Sequence, residues 1–227
     1  MKRILTAAVL AFGLAPPALA DFDDGVAAFN EGDFEAAYRE WRPLAEQGDG
    51  AAQAGLGFLY DNGTGVGRDE AEAVRWYRLA AEQGNARAQT NLGLMYKNGR
   101  GVPQDSAEAV RLYRLAAEQG SARAQNNLGA MYDRGEGIAQ DFLEAAKWYR
   151  MAAEQGDGVG QRNLGALYGN GAGLEKDYVQ AHLWFDLAAA QQDELAQRSL
   201  DIVQGLMTPG EIAEARDLAR AWRGQHQ

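Results

Sequence analysis

From Gly48 to Gln191 the chain repeats itself every 36 residues: Gly48, Gly84, Gly120 and Gly156 fall in step, as do Tyr60, Tyr96, Tyr132 and Tyr168, and Asp69, Asp105, Asp141 and Asp177. A unit of this length is too small to bury its own apolar face. It must stack on copies of itself, so the expected product is an array whose core runs from unit to unit. Such a chain builds surface first and carries chemistry only by exception.

The unit from Gly84 to Gln119 shows how the period folds. Ala88, Leu92, Met95 and Tyr96 recur at helical spacing and predict a first helix with one apolar face. Asn98-Gly99-Arg100-Gly101 ends it with glycines suited to positive φ. Asp105 then opens a second helix, and Glu108, three residues on, predicts a capping box that recurs as Asp69 with Glu72, Asp141 with Glu144, and Asp177 with Gln180. Ala109, Leu112, Tyr113, Ala116 and Ala117 form the buried side of that helix, with Trp76, Trp148 and Trp184 in the slot of Leu112. Gly120 stops it and Ser121 caps the next helix at once. The chain therefore predicts an all-α solenoid of helix-turn-helix repeats.

The ends are expected to differ. Residues 1–20 read as a signal peptide, with Lys2-Arg3, the apolar run Ile4 to Leu14 and the small-residue end Ala18-Leu19-Ala20, cleaved between Ala20 and Asp21. Residues 21–48 form a degenerate opening unit. Four full repeats follow at 49–84, 85–120, 121–156 and 157–192. Residues 193–227 carry a partial repeat and a closing helix, whose Ile212, Ala215, Leu218, Ala219 and Trp222 make an apolar stripe suited to covering the last open face. Thr208-Pro209-Gly210-Glu211 gives that helix a further capping box.

Composition narrows the chemistry. The formal net charge is −10, and cleavage of the leader, with Lys2 and Arg3, takes it to −12. An acidic chain without basic clusters repels phosphate backbones and anionic lipid, so neither nucleic-acid binding nor membrane insertion after cleavage is expected. Cysteine is absent, which removes disulfide, thiol and zinc-thiolate chemistry. With His182 and His226 the only histidines, no two-histidine metal site is expected within one chain, and His182 occupies a slot filled elsewhere by Val74, Val110 and Ala146. No serine after the leader (Ser106, Ser121, Ser199) is followed by lysine three residues on. The glycines of Gly63-Thr64-Gly65-Val66-Gly67 follow a helix rather than a strand and recur as a connector, not a nucleotide fingerprint. No catalytic residue, cofactor or metal is expected.

The string Ala88-Gln89-Thr90-Asn91-Leu92-Gly93-Leu94-Met95-Tyr96, then Asn98-Gly99-Arg100-Gly101-Val102, Asp105, Ala109, Tyr113 and Ala116 to Gly120, resembles the Sel-one-like repeat, a longer-looped relative of the tetratricopeptide repeat. The resemblance covers nearly all of the chain after the leader. It implies a right-handed α/α superhelix, first helices lining a concave groove, and a role as adaptor or regulator through protein contacts, several relatives acting in bacterial envelopes. Cysteine-rich relatives have been described as binding or slowly hydrolysing β-lactams, but the cysteines that bridge their helices have no counterpart here.

On the inner face of such a groove Asn91, Asn127 and Asn163 recur at the edge of the apolar arc. A ladder of amides either holds the backbone of an extended peptide or ties adjacent units together. Around it, Thr90, Asn126 and Arg162 share one slot with Ala54, while Lys97 shares another with Asp61, Asp133 and Gly169; Arg100 and Arg134 add local positive charge. The expected function is a non-enzymatic interaction module, periplasmic or secreted and monomeric, that binds a protein or peptide partner of the envelope. The alternative is an envelope hydrolase or a binder of cell-wall fragments or β-lactams.

Overall fold

A computed structural model describes residues 21–226. The predicted leader, residues 1–20, lies outside them. Among the described residues every regular element is helical: α1 (Phe22–Glu31), α2 (Phe34–Glu46), α3 (Gly50–Asn62), α4 (Glu70–Glu82), α5 (Ala86–Asn98), α6 (Ser106–Glu118), α7 (Ala122–Arg134), α8 (Phe142–Glu154), α9 (Gly158–Asn170), α10 (Tyr178–Ala189), α11 (Glu194–Gln204) and α12 (Pro209–Gln225). From α1 to α11 each helix packs on the next, which makes an all-α solenoid of helix pairs.

Local sequence sets the helix ends. Asp69, Asp105, Asp141 and Asp177 cap α4, α6, α8 and α10 through their side chains, each accepting from amides in the first turn. The reciprocal half of the predicted capping box does not form there. The backbone N–H of each aspartate instead donates to the carbonyl of Tyr60, Tyr96, Tyr132 or Tyr168, at 2.9–3.0 Å. With that donor engaged, Glu72, Glu108 and Glu144 turn outward to Arg75, Arg111 and Lys147. The box closes in both directions at Thr208 and Glu211, where the hydrogen bond from the Thr208 backbone holds the Glu211 carboxyl below its ordinary pKa.

A ring against a bare backbone defines the packing inside each repeat. Tyr77, Tyr113, Tyr149 and Phe185 are buried, and each lies against a glycine of the facing first helix: Gly57, Gly93, Gly129 and Gly165. A Cβ on Gly93 would stand 2.8 Å from the Tyr113 ring, so the side-chain-free position lets the two helices close on the aromatic between them. The connectors need glycine for a second reason. Gly101 has φ +65°, and its Cα faces the Glu70 carbonyl so closely that a side chain would strike backbone.

The two ends of the stack are built differently. At the start, Phe22 and Phe29 of α1 pack on Trp41 of α2 with ring centroids 5.9 and 5.7 Å apart, and the Trp41 Nε1–H donates to the Phe22 carbonyl at 3.2 Å. At the finish, α12 lies on α10. It buries Ala215 and Ala219, sets Trp222 edge-on to Trp184 at 6.4 Å, and pairs Arg223 with Asp186 at 2.9 Å. It does not fold over α11 in the manner of a regular second helix, and Ile202 and Leu206 remain 69% and 59% exposed. Leu218, part of the stripe read from the sequence, faces outward.

Candidate functional site: the inner face of the solenoid

The curvature follows from which helices approach one another. Across repeats, α3 comes close to α5, α7 to α9 and α9 to α11, whereas no two successive second helices from α2 to α10 come as near. The first helices therefore line the inside of the curve and the second helices the outside.

What joins the repeats is a seam of glutamines. Gln53, Gln89, Gln125 and Gln161 are buried, and each donates through Nε2 to the carbonyl of Ala45, Ala81, Ala117 or Ala153 at 3.1–3.2 Å. Their Oε1 atoms accept from Gln83, Gln119, Gln155 and Gln191 at 2.7–2.9 Å, thirty residues further along and one second helix later. Each link satisfies a helix-end carbonyl and two amides in one place, so each repeat boundary has the same polar registration. Further out, Arg78, Arg114 and Arg150 donate to the hydroxyls of Tyr96, Tyr132 and Tyr168 at 2.7–3.0 Å, again from one repeat to the next. Sequence reasoning passed over this seam.

The residues singled out from the sequence divide into three groups. Some have their polar atoms taken up by neighbouring groups. Thr90 is buried and its hydroxyl donates to the Ala86 carbonyl at 2.8 Å. Asn91 donates to the Tyr77 hydroxyl at 3.2 Å, a contact from one repeat to the repeat before it. Arg100 bridges back to Asp61 and, at 3.0 Å, to Glu70, and its hydrogen bond holds the Glu70 carboxyl below its ordinary pKa. Arg162 pairs with Asp193, the N-cap of α11.

A second group is loosely paired. Asn163 donates to Asn126 at 2.9 Å, joining α9 to α7. Lys97 and Arg134 both reach Glu136, at 3.5 and 3.7 Å. The third group is Asn127 alone, half-buried and with no side-chain hydrogen bond among the described residues. The asparagines thus form no uniform ladder: identical residues at equivalent positions have different partners.

Inner-face residues that sequence reasoning did not single out are Arg87 and Arg123. Both are exposed, and neither enters a salt bridge among the described residues. Their slot holds Ala51 and Val159 in the flanking repeats, so period alone could not mark them. Arg87 lies over the Phe58 ring at 5.2 Å, and Arg123 reaches the Asn91 Oδ1 at 3.5 Å.

Besides the buried tyrosines, whose pKa values burial raises, the interior holds a histidine. His182 is fully buried between α10 and α11, its Nε2 3.0 Å from the Gln204 amide nitrogen, and burial lowers its pKa. It is a packed side chain in the slot of Val74 and Val110. Among the described residues no three histidine, aspartate or glutamate side chains group as a metal site, and no helix is long and apolar enough to cross a membrane.

Stacked helix pairs, a repeated polar seam and an inner surface of divergent side chains define a helical-repeat solenoid. The Sel1 repeat pattern matches residues 50–85, 86–121, 122–157 and 158–193, and the chain belongs to that family, whose members commonly mediate protein–protein interaction. Among solved structures it is similar to c5321, described as a protective antigen present in uropathogenic Escherichia coli strains and displaying an SLR fold, with 36% identity and a TM-score of 0.76. That match covers 90% of this chain and 45% of the other, so this chain spans under half the length of that relative. A Sel1 repeat protein from Oxalobacter formigenes is 38% identical with a TM-score of 0.71, over 79% of this chain and 74% of that one. A Sel1 repeat protein from Klebsiella pneumoniae, 21% identical over 81% of this chain and 91% of its own, with a TM-score of 0.54, shares the fold. No match emerged among functionally curated proteins.

Proposed function

We propose that this protein is a non-enzymatic adaptor or regulator of the cell envelope that binds a protein or peptide partner on the inner face of the solenoid. One contrast carries the reading. The residues that join repeats are the same from unit to unit, while the exposed inner slot holds Ala51, Arg87, Arg123 and Val159 in turn. A surface with no duty in the stack, and side chains that change along it, can discriminate partners along its length. The leader-like residues 1–20 support an envelope or secreted location. The reading as a hydrolase or cell-wall binder is favoured by no grouping of side chains among the described residues.

The test is affinity capture after crosslinking in cells that make the protein, comparing wild type with an Asn127→Ala variant. A specific partner should be recovered with wild type and reduced with the variant, at an unchanged melting temperature. Equal recovery would move the contact surface elsewhere.

A further inference from the structure

At the N-terminal end of the inner face the opening repeat and its neighbour, though packed on one core, leave a hollow between them. Phe22 and Phe29 of α1, Trp41 of α2 and Phe58 of α3 wall a cleft of about 250 Å³ that opens on the groove. The rings that wall it pack on one another, Phe29 lying 5.5 Å from Phe58 and 5.7 Å from Trp41. Arg87 stands on its rim. The same arginine also lines the adjoining cleft, about 230 Å³, whose other wall is Arg123.

Charge decides what such a place accepts. The chain as a whole is acidic, at −10, and most of its inner-face cations are tied to carboxylates, Arg100 to Asp61 and Glu70, Arg162 to Asp193. Yet neither cleft is lined by any aspartate or glutamate, and the two arginines between them have no carboxylate partner. Two guanidinium groups beside an aromatic hollow are complementary to a carboxylate next to an apolar side chain.

Resting on the reading of the inner face as a peptide groove, we propose that its N-terminal half docks an extended acidic peptide, one aromatic or large aliphatic side chain seated in the Phe22–Phe29–Phe58 cleft and an aspartate or glutamate side chain held by Arg87 and Arg123. First helices lie roughly 9 Å apart, and the α1–α3 cleft is about two such steps from the α5 and α7 arginines; an extended chain rising about 3.3 Å per residue therefore places about five residues between the anchor and the carboxylate. The cleft supplies apolar burial, and the arginines supply register and a salt-sensitive attraction.

The test is selection from dodecamers displayed at the N-terminus of a phage coat protein, where each peptide lacks a free C-terminus and every enriched carboxylate is a side chain. Wild type should enrich peptides with an aromatic or large aliphatic residue about five positions from Asp or Glu. Synthetic versions, followed by fluorescence anisotropy, should bind about tenfold more weakly to Arg87→Glu, Arg123→Glu, the factor that ~1.4 kcal/mol represents. The charge-reversed protein should itself select Lys or Arg in place of the acid, a gain that unfolding cannot mimic. Ala51→Trp, which fills the cleft from an exposed position, should abolish binding without touching the arginines. Enriched peptides that bind both variants normally but lose affinity for Asn127→Ala would leave the groove standing and overturn this placement. No enrichment at all would overturn both.

Discussion

The seam between repeats and the inner face of the solenoid are made by the same first helices, yet they follow opposite rules. Along the seam, Gln53, Gln89, Gln125 and Gln161 make the same two hydrogen bonds four times over. On the inner face the equivalent asparagines already diverge, with Asn91 on Tyr77, Asn163 on Asn126, and Asn127 unengaged. Repetition marks what the stack requires of every unit; divergence marks positions that the stack leaves open.

The comparison is easiest to break where backbone meets backbone. Gly101→Val puts a β-branched side chain at φ +65° against the Glu70 carbonyl, and should cost about 3 kcal/mol in urea unfolding. A loss below ~1 kcal/mol would show that the connectors tolerate more movement than the packing implies. Next comes the seam itself: Gln125→Leu keeps the volume but removes the side-chain hydrogen bonds to the Ala117 carbonyl and from the Gln155 amide, which keep their partners in Gly120 and Met151, for an expected loss of about 1.5 kcal/mol.

Within the core the tyrosines sharpen the contrast. Tyr77→Phe strands the Asn91 amide and should cost ~1 kcal/mol, while Tyr113→Phe removes a buried hydroxyl that has no partner and should be neutral or slightly stabilising. Equal costs would mean that Asn127 reaches Tyr113 in solution. The smallest effect is the pH response of His182. Burial lowers its pKa, outweighing the nearby Asp186 carboxylate, with Arg216 acting in the same sense as burial. The folded state therefore prefers the neutral ring. Its contribution is complete above the unfolded value of about 6.5 and is lost as pH falls from there through the folded pKa. His182→Val, which copies Val74 and Val110, should lose less urea resistance than wild type between pH 7.5 and pH 5.5, both being roughly one unit from that unfolded value.

Most of the stack was legible because period, glycine and aspartate act locally: a glycine in phase ends a helix and an aspartate in phase starts one, whatever lies beyond. The second half of the capping boxes was not legible. The competing acceptor, the carbonyl of Tyr60 or Tyr96, belongs to the preceding helix and is brought up by the connector. The glutamine seam carried a sequence signal, two sets of glutamines in the same 36-residue phase, but an amide on a helix reads as a solvent-facing residue until its partner thirty positions away is known. Arg87 and Arg123 lay beyond the reach of a repeat argument, since their significance is that they break the pattern and lack a counter-charge.

The central claim, that partners meet the divergent inner face and not the repeated outer one, is tested most directly by photocrosslinking from single benzoyl-phenylalanine positions in cells. Probes at Arg87 and Asn127 on the first helices should give discrete adducts, and probes at Arg111 and Lys147 on the second helices should give none. Adducts confined to the outer positions would contradict the account.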